Sequence, residues 1–190
     1  PASATLIGIV ATLRSWKGHR FLLEAFAGLP REHCILVIVG DGPQRADLES
    51  RIARLNIGER VRMAGNQPDV LPWLHALDVF ALPSYANEGV PQALVQAMLC
   101  ALPCVTTDVG SIGEAAVNGE TALVVAPQDA DALRQALLRL IEAPELREQL
   151  GAAAAARCRE RFGFEAMLDA MEAVFARVTA FKGAEIRRAA

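Results

Sequence analysis

The chain has 190 residues, of which 53% are hydrophobic and 22% are charged, and its formal net charge is −3. This length predicts one domain that buries a core without disulfides or a metal, and the apolar content excludes an intrinsically disordered chain. The 19 Lys and Arg residues against 22 Asp and Glu residues leave no excess of positive charge for binding a nucleic acid.

The first 125 residues alternate short apolar runs with helical patterns. The runs are apolar throughout, so each predicted strand has to be covered on both faces. We therefore predict a doubly wound, Rossmann-like α/β domain with a parallel sheet of about six strands and helices on both sides. The predicted strands are residues 6–10, 35–39, 61–64, 79–82, 104–106 and 122–125, and the predicted helices are residues 21–26, 43–55, 71–74 and 91–101.

After Pro127 the pattern is helical only. Helices are predicted at residues 129–142, 144–161 and 164–181, with a tail at 182–190. We expect residues 1–163 to form the domain and residues 164–181 to form a separate helix. One face of that helix carries an apolar stripe, which is typical of core packing, with docking on a partner helix as the alternative. The stripe contains Met167, Met171, Val174 and Val178.

The sequence shows no signal for a membrane span, for a signal peptide or for a metal site. The longest uncharged stretch, residues 89–107, is interrupted by proline and glutamine, and no basic segment followed by an apolar one opens the chain. The histidines are scattered, so we expect no metal site. The isolated cysteines predict reduced, buried thiols in a cytoplasmic protein. They are Cys34, Cys100, Cys104 and Cys158.

Ligands of a doubly wound sheet bind at the carboxyl ends of its strands, so the loops after the strands are the candidate sites. The loop after the first strand carries Arg14 and Lys17 just before a helix, an arrangement that suits a diphosphate. A solvated loop with two surface charges is the alternative. The Gly40–Pro43 segment resembles the start of a dinucleotide fingerprint, but Arg45 replaces its third glycine. We interpret it as a close turn, which argues against a nicotinamide or flavin cofactor.

The loop after the fourth predicted strand holds a carboxylate, Glu88, directly before a helix. Glu88 could accept hydrogen bonds from sugar hydroxyls while amides of the first helical turn meet phosphate oxygens. Gly89 lets the backbone approach a ligand, and Gln96 lies deeper on the same helix. The alternative is that Glu88 only complements the positive end of the helix.

Ordered motifs along the chain resemble those of a known family. Over residues 6–178 the sequence resembles the C-terminal, donor-binding half of a GT-B retaining glycosyltransferase of the group 1 (family 4) type. The resemblance implies one half of a GT-B fold. The matching segments are residues 8–18, 38–43, 60–65, 76–84, 88–91, 102–110 and 114–119.

The resemblance implies a role for each candidate residue. Arg14 and Lys17 match the cations that neutralise the donor diphosphate in place of a metal ion, and Glu88 matches the glutamate that faces the sugar. Gln96 stands where the family usually has a glutamate for the ribose hydroxyls, and an amide binds these more weakly. Gly65 and Asn66 match the loop beside the base. The segment over sugar and phosphate is Gly89, Val90, Pro91, Gln92, Ala93 and Leu94.

The resemblance also implies partners. The donor would be a nucleoside-diphosphate sugar of the UDP, GDP or ADP type, with no cofactor, and the acceptor would bind an N-terminal domain absent from this chain. The helix at 164–181 would cross to that domain and expose its apolar face. We expect the fragment to bind nucleotide weakly and to transfer no sugar, with peripheral membrane association possible only for the full-length protein. The alternatives are a non-catalytic nucleotide-binding module, a GT-B epimerase acting on UDP-N-acetylglucosamine and a purely structural module.

Overall fold

A computed structural model describes the backbone of residues 4–189 and the side chains of residues 4–179. Six parallel strands form one sheet in the order β3-β2-β1-β4-β5-β6, which confirms the predicted doubly wound sheet. Each predicted strand is present, and no bound differs from its predicted position by more than one residue. The strands are β1 (Thr5–Val10), β2 (Cys34–Val39), β3 (Val61–Gly65), β4 (Val79–Leu82), β5 (Cys104–Thr107) and β6 (Leu123–Val125).

The strands carry the core. Every residue of β4 and of β5 is buried, as strands covered by helices on both faces require. Helix α1 packs against α2 and α6, and α4 packs against α7. The helices are α1 (His19–Ala27), α2 (Arg45–Arg54), α3 (Leu71–Ala76), α4 (Gln92–Leu99), α5 (Ile112–Ala115), α6 (Ala130–Glu142), α7 (Pro144–Phe162) and α8 (Phe164–Ala189).

Some helices begin or end at other residues than the sequence pattern predicts. Helix α4 ends at Leu99, because Ala101 takes a φ of +58°, which a continuing helix excludes. The helix predicted from Pro43 begins at Arg45. The four residues of α5 were not predicted, since one helical turn is too short to show a period.

Helix α8 continues to Ala189, eight residues beyond the predicted end at 181. Its apolar stripe is exposed: Met167 and Met171 are each 47% exposed, Val174 is 55% exposed and Val178 is 49% exposed. The neighbouring Phe175 is 62% exposed. Core packing within this chain is therefore the wrong interpretation of the stripe. The exposed apolar face expected from the family resemblance is confirmed.

Two other expectations can be compared with the described residues. All four cysteines are free thiols, and three are buried while Cys100 is half-buried. Burial raises the pKa of each of these thiols. Among the helices in the described part of the chain, none is both long and apolar enough to cross a membrane.

Candidate functional site

The site lies where the strand order of the sheet reverses. The chain runs outward from β1 to β2 and β3 on one side, and then returns to place β4, β5 and β6 on the other. The loops after β1 and β4 leave the sheet on opposite sides of this switch point, which is where doubly wound folds bind their ligands. Both loops carry predicted site residues.

Lys17 and Glu88 meet at this switch point. Lys17 ends a single 3₁₀ turn after β1, Ser15–Lys17, and Glu88 lies in the loop between β4 and α4. The Lys17 Nζ donates to Glu88 Oε1 at 2.7 Å and to Oε2 at 2.9 Å. The Glu88 side chain is only 4% exposed and that of Lys17 is 19% exposed. The two form a largely desolvated ion pair that joins residues 71 positions apart.

Two residues that the sequence interpretation did not single out support the Glu88 carboxylate. The hydroxyl of Ser84, a fully buried residue two positions after β4, donates a hydrogen bond to Glu88 Oε1. Thr107 Oγ1, at the end of β5, donates in turn to the backbone oxygen of Ser84. The sequence does contain a signal for them, since each is a hydroxyl residue at the carboxyl end of an apolar strand, where a buried polar group needs a partner.

Glycines bring the loop backbones into direct contact. A Cβ on Gly110 would lie 1.9 Å from the carbonyl oxygen of Glu88, and Gly110 has a φ of +59°. The amide of Ser111 donates to that same oxygen at 3.3 Å. A Cβ on Gly18 would similarly lie 1.8 Å from the carbonyl oxygen of Pro83. The loops after β1, β4 and β5 are therefore fixed against one another.

An aromatic cluster adds to this contact on the β1 side. The amide of Tyr85 donates to the Trp16 carbonyl at 2.8 Å, and the Tyr85 ring meets the edge of Phe21 with centroids 5.9 Å apart. The Arg20 guanidinium lies 4.4 Å from the Phe21 ring and 5.5 Å from the Tyr85 ring. These contacts join α1 to the loop that carries Glu88.

The second predicted cation, Arg14, lies elsewhere. Its side chain is exposed, and its guanidinium is 5.7 Å from the ring centroid of Trp16. It lines a small cleft of about 50 Å³ between the start of α1 and helix α2. Within residues 4–179 no ion pair or hydrogen bond joins Arg14 to Lys17 or Glu88. The other residues of this cleft are Ser15, His19, Arg20, Gln44, Asp47, Leu48 and Arg51.

His19 opens α1 and is 2% exposed. Burial, and then the nearby charge of Lys17, lower its pKa to about 4. Neither ring nitrogen has a hydrogen-bond partner among the described residues. The imidazole is therefore neutral near pH 7 and leaves the positive charge of this loop to Lys17 and Arg14.

The start of α4 presents backbone amides at the same edge of the sheet. The amides of Leu94 and Val95 bond to the Pro91 carbonyl, so those of Gln92 and Ala93 precede the first bonded turn. Amides in this position carry the positive end of the helix dipole. The remaining predicted positions differ in exposure: Gly89 and Gln92 are exposed, Val90, Ala93 and Gln96 are half-buried, and Pro91 and Leu94 are buried.

Gly65 and Asn66 lie at the end of β3, two strands away from β1. The carbonyl of Gly65 accepts from the Gly40 amide at 2.8 Å, and Asn66 is exposed. They share the carboxyl edge with Lys17 and Glu88, and no hydrogen bond within the described residues joins them to that pair. The sequence-predicted positions therefore form a central ion pair flanked by loop and helix positions.

Comparison with known proteins identifies the family. The family model for glycosyl transferases group 1 matches residues 2–157. The chain therefore belongs to the group 1 glycosyl transferases.

Curated relatives are similar along most of the chain. N-acetyl-alpha-D-glucosaminyl L-malate synthase of Bacillus anthracis is 28% identical over 87% of this chain. Alpha-D-kanosaminyltransferase of Streptomyces kanamyceticus is 30% identical, also over 87% of this chain. In both cases the chain spans 44% of the relative, so it covers less than half of these proteins.

Solved structures share the fold. HepE of Anabaena, in complex with UDP, has a TM-score of 0.88 and 25% identity, over 93% of this chain and 50% of that chain. Sucrose-phosphate synthase of Thermosynechococcus elongatus has a TM-score of 0.85 and 29% identity, over 95% and 47%. The C-terminal domain of the group 1 protein LpcC from Francisella tularensis, 21% identical, shows the same fold with a TM-score of 0.74 and is covered to 87%.

Proposed function

We propose that this chain is the donor-binding half of a retaining, metal-independent glycosyltransferase, which moves a sugar from a nucleoside-diphosphate sugar to an acceptor. The observation that carries the proposal is the Lys17–Glu88 ion pair at the switch point of the sheet. It places a cation suited to phosphate beside a carboxylate suited to sugar hydroxyls, at the edge of the sheet where doubly wound folds bind nucleotides.

Lys17 and Glu88 act on different parts of the donor. As the bond between the sugar and the β-phosphate breaks, negative charge builds on the phosphate oxygens, and the Lys17 ammonium stabilises it. The exposed Arg14 side chain adds a second positive charge to the same loop. The Glu88 carboxylate accepts hydrogen bonds from the sugar and holds its anomeric carbon in place. The two charges also satisfy one another, so neither is buried alone.

The surrounding positions complete the donor site in this proposal. Gly65 and Asn66 lie beside the base, and the backbone from Gly89 to Leu94 covers sugar and phosphate. Pro91 and Leu94 contribute only backbone, since their side chains are buried. Gln96 binds the ribose through an amide. The HepE complex with UDP favours a UDP sugar among the UDP, GDP and ADP types considered.

The proposal includes the rest of the protein. Residues 1–163 form the donor domain, and α8 crosses to an N-terminal acceptor domain that completes a cytoplasmic enzyme. Residues 182–189 extend this helix where the sequence predicted a tail. Two observations support the proposal: the chain spans half of HepE, and the apolar face of α8 is exposed. The shared fold with the LpcC C-terminal domain favours the C-terminal half.

Calorimetry on this chain tests the proposal. Titration with UDP, GDP and ADP is expected to give weak binding of at least one of them. Lys17→Met is expected to abolish that heat, whereas Arg54→Met, which removes the same charge from an exposed position on α2, retains it. A folded chain that gives no heat with any of the three nucleotides contradicts the proposal, as does sugar transfer catalysed by this chain alone.

A second function, a nucleotide-binding module without catalysis, is favoured by one observation: Gln96 occupies the position of the second glutamate in the family motif. The full-length protein separates the two functions. The transferase turns over a nucleotide sugar, whereas the module binds it without turnover.

A further inference from the structure

Ser84 is placed to control the orientation of the Glu88 carboxylate. It is fully buried, and its hydroxyl donates to Glu88 Oε1. Its own backbone is held by Thr107, whose hydroxyl donates to the Ser84 carbonyl. The donor to Oε1 therefore sits on a fixed support at the end of β4 and β5.

The other contacts of Glu88 leave this orientation open. The Ser111 amide and the close approach of Gly110 fix the Glu88 backbone, but they do not touch the carboxylate. Rotation about the last bond of a glutamate side chain is soft. Lys17 contacts both oxygens at similar distances, 2.7 and 2.9 Å, so it distinguishes them little. The hydrogen bond from Ser84 reaches Oε1 only, and it therefore distinguishes the two oxygens.

The two carboxylate oxygens of Glu88 accept different numbers of hydrogen bonds. Each carboxylate oxygen can accept about two hydrogen bonds. Oε1 accepts from Ser84 and from Lys17, so its capacity is used. Oε2 accepts from Lys17 alone among the described residues, and it retains capacity for one more donor.

We propose that Ser84 is a positioning residue, which turns the Glu88 carboxylate so that Oε2 is offered to a hydroxyl of the donor sugar. The proposal rests on the function proposed above, in which Glu88 faces the sugar. Ser84 itself is buried behind the carboxylate and does not contact the donor. Its loss therefore weakens binding of the sugar part and leaves binding of the nucleotide part nearly unchanged.

The test compares dissociation constants of nucleoside diphosphates with those of nucleotide sugars on the whole chain. UDP, GDP and ADP are paired with UDP-glucose, GDP-mannose and ADP-glucose, and the ratio of the two constants is measured for the pair that binds. Ser84→Ala is expected to reduce the preference for the nucleotide sugar about tenfold. Ser84→Cys, similar in size but a weak donor, is expected to lie between Ser84→Ala and the wild type.

Ser111→Ala is the matched control, because it removes a nearby hydroxyl that makes no hydrogen bond within the described residues and keeps the amide that holds Glu88. Its ratio is expected to equal that of the wild type. Thermal unfolding verifies that each variant folds. If Ser84→Ala does not fold, the ratio measured for Ser84→Cys tests the proposal. An equal loss of both affinities, or an unchanged ratio in either variant, overturns the positioning role. A wild-type chain that binds no nucleotide overturns the proposed function instead, and the role of Ser84 with it.

Discussion

Gly110 leaves open the space that the carbonyl oxygen of Glu88 fills. A Cβ at Gly110 would lie 1.9 Å from that oxygen, and the φ of +59° is one that other residues rarely adopt. Through this contact the loop after β5 sets the position of the loop that carries Glu88. The position of Glu88 therefore depends on a contact between two backbone segments.

Gly110→Ala tests this contact. We expect the free energy of unfolding to fall by about 2 kcal/mol from the positive φ alone, and nucleotide binding to weaken at least about tenfold as the Glu88 loop is displaced. Urea unfolding and calorimetry measure the two effects. Gly113→Ala is the control, since a Cβ there meets nothing within 4 Å. Wild-type affinity in Gly110→Ala would contradict the role of this contact.

The Lys17–Glu88 pair is expected to behave as a coupled unit in a double-mutant cycle. Lys17→Met leaves a carboxylate that is 4% exposed without its cation, so we expect a loss of about 3 kcal/mol in the free energy of unfolding. Adding Glu88→Gln should cost less than the sum of the two single changes. Arg45→Met removes two exposed pairs, with Asp41 and Glu49, and should cost below about 1 kcal/mol. Additive single effects would show that the pair is not coupled.

The stability of the chain is expected to depend on pH because of His19. The folded state keeps His19 neutral down to a pH of about 4, because burial and the charge of Lys17 lower its pKa from 6.5. The unfolded state therefore binds the proton first, and stability should fall as the pH drops from 6.5 to 4, by about 3 kcal/mol in all. Urea unfolding across this range measures the slope.

His19→Leu should remove that part of the slope and leave the stability at pH 7 nearly unchanged, since neither ring nitrogen has a partner among the described residues. The exposed His75, changed to Gln, is the control and should keep the wild-type slope. If the pH dependence of stability persists in His19→Leu, groups other than His19 cause it.

Gln96→Glu is expected to tighten nucleotide binding about fivefold, because a carboxylate accepts hydrogen bonds from ribose hydroxyls more strongly than an amide does. Calorimetry with the nucleotide that binds the wild type measures the change. Gln92→Glu adds the same charge one helical turn earlier, at an exposed position, and should give no gain. Equal affinities of the two variants would argue against a ribose contact at Gln96.

The apolar face of α8 is expected to be dispensable for folding of this chain. Changing Met171 and Phe175 together to Gln should leave the melting temperature within about 2 °C, because they are 47% and 62% exposed. Binding of an apolar dye should decrease. Leu137→Ala, at a fully buried position in α6, is the destabilising comparison and should cost about 3 kcal/mol. A large drop in melting temperature for the α8 variant would mean that its face packs within the chain.

The sheet was predictable because its signal is local. Strands such as β4, buried on both faces, need continuous apolar runs, and these are visible without any knowledge of contacts. Helix ends were less predictable, as the unexpected stop before Ala101 shows, because a single positive φ depends on how the chain must turn there. The stripe on α8 was ambiguous for a similar reason: periodicity marks an apolar face but not what covers it.

The sequence by itself determined the class of fold and the residue types of the site, since a lysine in the first loop and a glutamate before α4 are properties of local segments. Only the tertiary structure decided that Lys17 and Glu88 form a buried pair across 71 residues, that Ser84 supports the carboxylate and that Arg14 lies at a separate cleft. These relations follow from the strand order, which places β4 beside β1 and so brings their loops together. Strand order is set by the packing of the whole sheet and its helices, and that packing joins residues which are distant along the chain.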